Sequence, residues 1–149
     1  MLRAVAFDDA TVLGLSAAMV AELSARYGDG GASPAGAAEF AGPVGVFLVA
    51  ELDGRPVGCG GVRLLSPGTG EVKRMYVDPA FRGRGVARGL LHALVAHARG
   101  AGLTRLWLET GTAQPEAMAL YASEGFAPVP PYGHFREDPR SRCFALDLR

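Results

Sequence analysis

The chain has 149 residues and a mass of 15.5 kDa, the size of a single core, which commonly runs to about 100–200 residues. A chain of that length buries roughly 68–70% of its unfolded surface, so it needs no disulfide or metal staple. A formal net charge of zero and a pI near 6.8 argue against a nucleic-acid footprint or an anionic-membrane partner. Lys73 is the one lysine; the other fourteen of the 15 basic residues are arginines. Cys59 and Cys143 suit a reducing cytoplasm and make neither a disulfide framework nor a zinc set. No basic segment followed by an apolar run marks a signal peptide, and the longest apolar stretch, residues 44–50, is far short of the ~20 that span a bilayer. The expectation is one domain over residues 1–149, acting in the cytoplasm and holding no metal.

Residues 2–7 are apolar except Arg3 and read as a first strand. Asp8 and Asp9 supply helix-capping carboxylates, and Val12, Leu15, Met19 and Leu23 recur at helical spacing through about Tyr27. Residues 28–43 break that pattern and read as a loop, with a short helix around residues 35–40. Residues 46–52, 56–65 and 71–77 then form an antiparallel meander, with turns at Asp53-Gly54 and Ser66-Pro67-Gly68 and a stop at Asp78-Pro79. After a Gly/Arg-rich loop, Val86, Leu90, Leu91, Leu94, Val95 and Ala98 trace a buried helical face, closed by Gly100 and Gly102. Residues 104–110 alternate as a strand. Pro115 opens a last helix that Gly125 ends, and residues 126–129 and 142–148 complete the sheet. The order β α (α) β β β α β α β β predicts an α/β (α+β) fold. It is a mixed, mostly antiparallel central sheet of about seven strands with helices on both faces.

Arg82-Gly83-Arg84-Gly85-Val86-Ala87 lies between a strand and a helix N-terminus. Glycine-rich backbone there points several N–H groups one way, the helix dipole adds positive charge, and the arginines add more. Pyrophosphate is the natural guest; a tight turn with solvated arginines is the plain alternative. A Walker loop needs a lysine after the glycines and none follows. Gly83, Gly85 and Gly89, with Glu109 at a following strand end, approach a dinucleotide-binding pattern. However, five residues separate the preceding strand from the first glycine, and that strand belongs to a meander.

Met75-Tyr76-Val77-Asp78-Pro79 followed by Phe81 to Ala87 resembles the acyl-CoA signature R/Q-x-x-G-x-G/A of the GNAT N-acetyltransferase superfamily, met here by Arg82, Gly85 and Ala87. Gln114-Pro115-Glu116-Ala117, Leu120-Tyr121 and Gly125-Phe126 resemble that superfamily's last helix and the strand after it. The resemblance covers about residues 46–126. It implies that backbone groups of Met75 and Val77 take the pantetheine amides, and that amides across Arg82, Gly83, Arg84, Gly85, Val86 and Ala87 take the pyrophosphate. An N–H near Val77 would polarise the thioester carbonyl. Gln114 stands where many relatives carry an asparagine that contacts CoA.

The implied reaction is direct attack of an acceptor amine on acetyl-CoA, with Tyr121 protonating the departing thiolate; a core tyrosine beside Leu120 is the bland alternative. Glu71 is the preferred base, acting through water, and Glu109 the second candidate; either could equally be a structural partner of Arg74 or Arg105. Tyr132 and His134 lie in a loop that in this superfamily often borders the acceptor pocket, which makes them candidate substrate contacts; a rigid proline-anchored turn is the plain alternative. His92 and His97 read as surface residues and Trp107 as core. The resemblance therefore implies an acetyl-CoA-dependent N-acetyltransferase acting on a small amine. The alternatives are a non-catalytic acyl-CoA-binding module of the same fold or, less well matched, a dinucleotide-binding domain. The final strands offer an edge on which a homodimer could pair.

Overall fold

A computed structural model describes residues 1–28 and 35–149. The elements run β1 (Leu2–Ala4), α1 (Ala10–Tyr27), β2 (Val46–Leu52), β3 (Arg55–Ser66), β4 (Thr69–Val77), α2 (Val86–Gly100), β5 (Arg105–Gly111), α3 (Pro115–Ser123), β6 (Ala127–Val129) and β7 (Ser141–Asp147). Short 3-10 turns occupy Ala37–Phe40 and Pro79–Phe81. The first falls inside the segment expected to be a loop with some helix; residues 29–34 of that segment lie outside the described residues.

The seven strands lie in the order β1-β2-β3-β4-β5-β7-β6. Every neighbouring pair is antiparallel except β4 and β5, which run parallel. The meander places β2, β3 and β4 side by side because two-residue turns allow only antiparallel neighbours. The α2 crossover then carries the chain to the parallel partner β5.

Alternation along the strands sends side chains to two cores. On one face Phe47, Val49, Cys59 and Tyr76 pack under Val12, Leu15 and Met19 of α1. Asp9 starts that helix by accepting the Thr11 N–H at 2.9 Å, and Gly28 ends it at φ 85°. On the other face Val62, Val72, Leu106, Leu108 and Phe144 pack under Leu91 and Leu94 of α2 and Tyr121 of α3.

Three expectations need correction. β1 is three residues long: Phe7 turns inward to meet Phe40 and Phe47 at ring distances of 4.7 and 5.1 Å. Trp107 is half-buried on the α1 face, where Arg105 lies 5.0 Å above its ring and Tyr132 meets it edge-on at 4.7 Å. His97 is half-buried and bonds the Val44 carbonyl at 2.8 Å, whereas His92 is exposed beside Glu124. One edge of the sheet is the three residues of β6, which include Pro128. No helix among the described residues is long and apolar enough to cross a membrane.

Gly61 shows how tightly the α1 face is packed. A Cβ there would sit 2.6 Å from the Phe47 ring and 2.7 Å from Phe40. Gly61→Ala is therefore expected to cost about 1–3 kcal/mol by overpacking and to lower the melting temperature by roughly 2–4 °C per kcal/mol. A thermal melt unchanged by this substitution would contradict the packing described.

Candidate active site

The site begins where a strand pair comes apart. β4 and β5 are paired only from Thr69 opposite Arg105 to Val72 opposite Leu108. β5 goes on paired to β7 as far as Gly111 opposite Ser141, while β4 turns away. The cause is a bulge: the β3–β4 register runs from Gly61 opposite Lys73 to Cys59 opposite Tyr76, so Arg74 and Met75 share one position opposite Gly60. Arg74 takes φ 63°, a conformation costly for a residue with a Cβ. Gly60 makes room, since a Cβ there would lie 2.5 Å from the Met75 sulfur. The divergence opens a cleft of about 560 Å³ between the two arms.

At the mouth of the cleft stands the Gly/Arg loop. Gly83 and Gly85 both sit in the left-handed region, at φ 77° and 80°, which explains why glycine occupies both positions. Gly85 is the N-cap of α2 and has no side chain to satisfy the first-turn N–H groups. These donors are the kind that an anion at a helix N-terminus satisfies. Met75, Val77, Arg82, Gly83, Gly85, Val86, Ala87 and Gln114 all line the cleft.

The arginines behave differently from the sequence expectation. Arg82 donates from Nε to the Val77 carbonyl at 2.9 Å and from Nη2 to both Glu22 oxygens at 2.8 and 2.9 Å. It is committed to α1 rather than held open for phosphate, and the Val77 carbonyl is taken as well. Arg84 lies 5.3 Å over the Phe81 ring and does not line the cleft.

α1 ties the two arms together. Glu22 holds Arg82 beyond β4, while Arg26 donates at 2.7 Å to both the Ala113 carbonyl and Glu116 beyond β5. The Tyr27 hydroxyl donates to Gln114 Oε1 at 3.2 Å, and Thr110 Oγ1 reaches the same oxygen at 3.5 Å. Sequence reasoning missed Glu22, Arg26 and Tyr27, since their partners lie 60 to 90 positions away along the chain.

Tyr121 lines the inner wall, only 7% exposed and packed near Phe126 and Phe144. Burial pushes its phenol up to about 12. Glu71 and Glu109 also line the cleft, on the α1 side. Glu71 is 3% exposed and both its oxygens are engaged: Oε1 by Arg63 Nε at 2.7 Å, Oε2 by the Tyr132 hydroxyl at 2.6 Å. Its ion-pair partners are therefore Arg63 and, at 3.9 Å, Lys73, not the Arg74 suggested by the sequence. Glu109 accepts from the Phe135 N–H and the Ser141 hydroxyl, each at 3.1 Å, both on Oε2. No described residue bonds its Oε1.

Tyr132 and His134 border a separate cavity of about 280 Å³, shared with Arg63, Lys73 and Arg136. Burial and the adjacent Glu71 carboxylate raise the Tyr132 pKa, keeping the phenol a donor. His134 rests against Phe135, rings 4.7 Å apart. Among the described residues, no group of three or more His, Cys, Asp and Glu side chains is arranged to hold a metal.

Residues 17–126 match the model of the acetyltransferase (GNAT) family. The chain belongs to that family. It is 47% identical over 96 residues to an IAA acetyltransferase of Azospirillum brasilense, an overlap of 64% of this chain and 63% of that relative, less than two thirds of the relative's length. YsnE of Bacillus subtilis, an uncharacterised N-acetyltransferase, is 33% identical over 108 residues, 71% of this chain and 72% of that one. A Klebsiella pneumoniae structure with a provisional acyl-CoA N-acyltransferase name superposes at a TM-score of 0.83, with 31% identity over 100% of this chain and 97% of that one. The fold is also shared, at TM-score 0.62 and 18% identity, with a GNAT acetyltransferase from Elizabethkingia anophelis that has acetyl-CoA bound; 70% of this chain and 76% of that one are covered. The GNAT family and the mixed seven-stranded fold expected from the sequence are thus both observed.

The Glu71 cluster gives a stability prediction. Tyr132→Phe removes one hydrogen bond from a buried carboxylate and is expected to cost about 1–3 kcal/mol, read as a lower midpoint in urea. A change under about 0.5 kcal/mol, the size typical of an indifferent surface site, would contradict the engagement of Glu71 described above.

Proposed function

We propose that the chain transfers an acetyl group from acetyl-CoA to the amine of a small-molecule acceptor, by direct attack and without a covalent enzyme intermediate. The observation that carries this reading is the cleft itself. A strand edge beyond Val72 that lacks its β5 neighbour opens beside a glycine-rich helix N-terminus. An extended amide-bearing arm that ends in a pyrophosphate fits such a cleft, and relatives of the same fold are described with acetyl-CoA or CoA bound.

In this reading the exposed edge around Met75 and the Val77 N–H bind the pantetheine amides. The first N–H groups of α2 and its preceding loop, residues 83–87, bind the pyrophosphate. A backbone N–H near Val77 stabilises the negative charge that develops on the thioester oxygen as the amine attacks. Gln114, oriented by Tyr27 and Thr110, closes the opposite wall. Tyr121 donates its proton to the departing thiolate. Burial raises its pKa to about 12, so the phenol is protonated at neutral pH and available as a donor.

Glu109 is the better base. Both oxygens of Glu71 are committed, whereas Glu109 keeps Oε1 for a water that relays the ammonium proton. This reverses the preference drawn from the sequence. Cys59 and Cys143 are both buried thiols, consistent with a reducing cytoplasm as the site of action. A non-catalytic acyl-CoA module would share the cleft and keep Tyr121 for packing beside Phe126 and Phe144; amine-dependent thiol release separates the two readings.

Tyr121→Phe is expected to lower kcat for thiol release by about 10²-fold or more while leaving the acetyl-CoA KM within about twofold, because the packing volume is kept. Since the phenol titrates only near 12, the wild-type rate should show no loss from its ionisation between pH 6 and 10. Wild-type rates in Tyr121→Phe, or thiol release undetectable with every amine, would contradict the assignment.

A further inference from the structure

Glu109 is held on the cleft wall differently from the other carboxylates there. Among the described residues, five carboxylates line the cleft. Glu22, Glu71, Glu116 and Asp138 each hold an arginine, at 2.7 or 2.8 Å. Glu109 is held by neutral donors alone among the described residues: the Phe135 N–H and the Ser141 hydroxyl, both on Oε2 at 3.1 Å. Ser141 is buried, 6% exposed, and lies diagonally across from Glu109, whose direct partner in the β5–β7 register is Cys143. Gly133 closes the other side. A Cβ there would lie 2.6 Å from the Glu109 carboxyl carbon and from Oε1, and 2.7 Å from Oε2. Gly133 does not take a left-handed backbone, so it is the carboxylate resting on it, and not its own conformation, that calls for glycine.

A base that relays a proton must be fixed in direction and still be able to take the proton. An arginine partner fixes a carboxylate but strongly favours its charged form and occupies its oxygens. Two neutral donors on one oxygen hold the group and leave the other oxygen clear. We propose that Ser141 and Gly133 are positioning residues for Glu109: the hydroxyl anchors Oε2, the bare glycine admits the carboxylate, and together they turn Oε1 toward the water that takes the acceptor's proton. In that relay an ammonium proton passes to the water as one of the water's own protons passes to Oε1, which leaves the amine neutral and Glu109 protonated. This rests on the transferase reading and on Glu109 as its base. The Phe135 N–H makes the loop that precedes β7 part of the same seat.

The test is thiol release at saturating acetyl-CoA with isoamylamine, phenethylamine, putrescine and leucinamide, for wild type and variants. With the best of these amines, Ser141→Ala is expected to lower kcat about tenfold, the scale of one hydrogen bond to a charged group. Gly133→Ala, which displaces the carboxylate, is expected to lower it about 10²-fold. The acetyl-CoA KM should stay within about twofold in both, since neither residue touches the cofactor in this reading. In a Glu109→Ala background neither change should lower the residual rate further, because a residue that acts only through Glu109 has nothing left to position. Wild-type kcat in either variant, or the same loss with and without Glu109, would overturn the inference while the transferase stands. Wild-type kcat in Glu109→Ala removes the base and the inference with it. No thiol release from wild type with any of these amines sinks the transferase reading itself.

Discussion

The parting of β4 from β5 is the constraint on which the rest of the molecule depends. Two parallel strands normally stay paired because each unpaired backbone group removed from water costs free energy. Here the bulge at Arg74 and Met75 ends the pairing after four rungs and leaves a strand edge facing a cleft instead of a neighbour. The left-handed conformation of Arg74 costs on the order of 1–3 kcal/mol. That cost is sustained because β3 grips β4 on both sides of the bulge and because glycine at position 60 leaves space for Met75.

A sheet split in this way needs its arms held at a fixed separation, and α1 does so. The apolar stripe of Val12, Leu15 and Met19 seats the helix on the sheet, while Glu22, Arg26 and Tyr27 reach one arm or the other through charge-assisted and neutral hydrogen bonds. On the opposite face Arg88 of α2 is joined to Ser123 and Glu124 at the end of α3, so the second helical layer also spans the cleft. Individual exposed ion pairs contribute little, at most about 1 kcal/mol. Their effect here is geometric, since they tie the helices to both arms of the slot.

Much of this was legible in the sequence, and the reasons differ by feature. The meander could be read because its turns are short and chemically marked, Asp53-Gly54 and Pro67-Gly68 between alternating runs. The Gly/Arg loop could be read because glycines cluster directly ahead of a helical pattern, and Gly83 and Gly85 do take positive φ. The bulge was not read. The adjacent charged pair Lys73-Arg74 interrupts the alternation of residues 71–77, but only the register with β3 shows that both occupy one face there. The engagement of Arg82 by Glu22, and of Glu71 by Arg63 and Tyr132, is likewise a property of packing between distant segments. Trp107 was misread because strand alternation places a residue on a face without saying which face is covered.

The central claim is that the cleft between β4 and β5 holds acetyl-CoA, and the most direct measurement is the thermal midpoint with acetyl-CoA, CoA or NAD(P)H added separately. A ligand at 100 times its dissociation constant adds about 2.7 kcal/mol, a shift of several degrees in a domain of this size. The account predicts stabilisation by acetyl-CoA and by CoA, and none by NAD(P)H. Stabilisation by NAD(P)H alone, or no response to acetyl-CoA and CoA at saturating concentration, would contradict it.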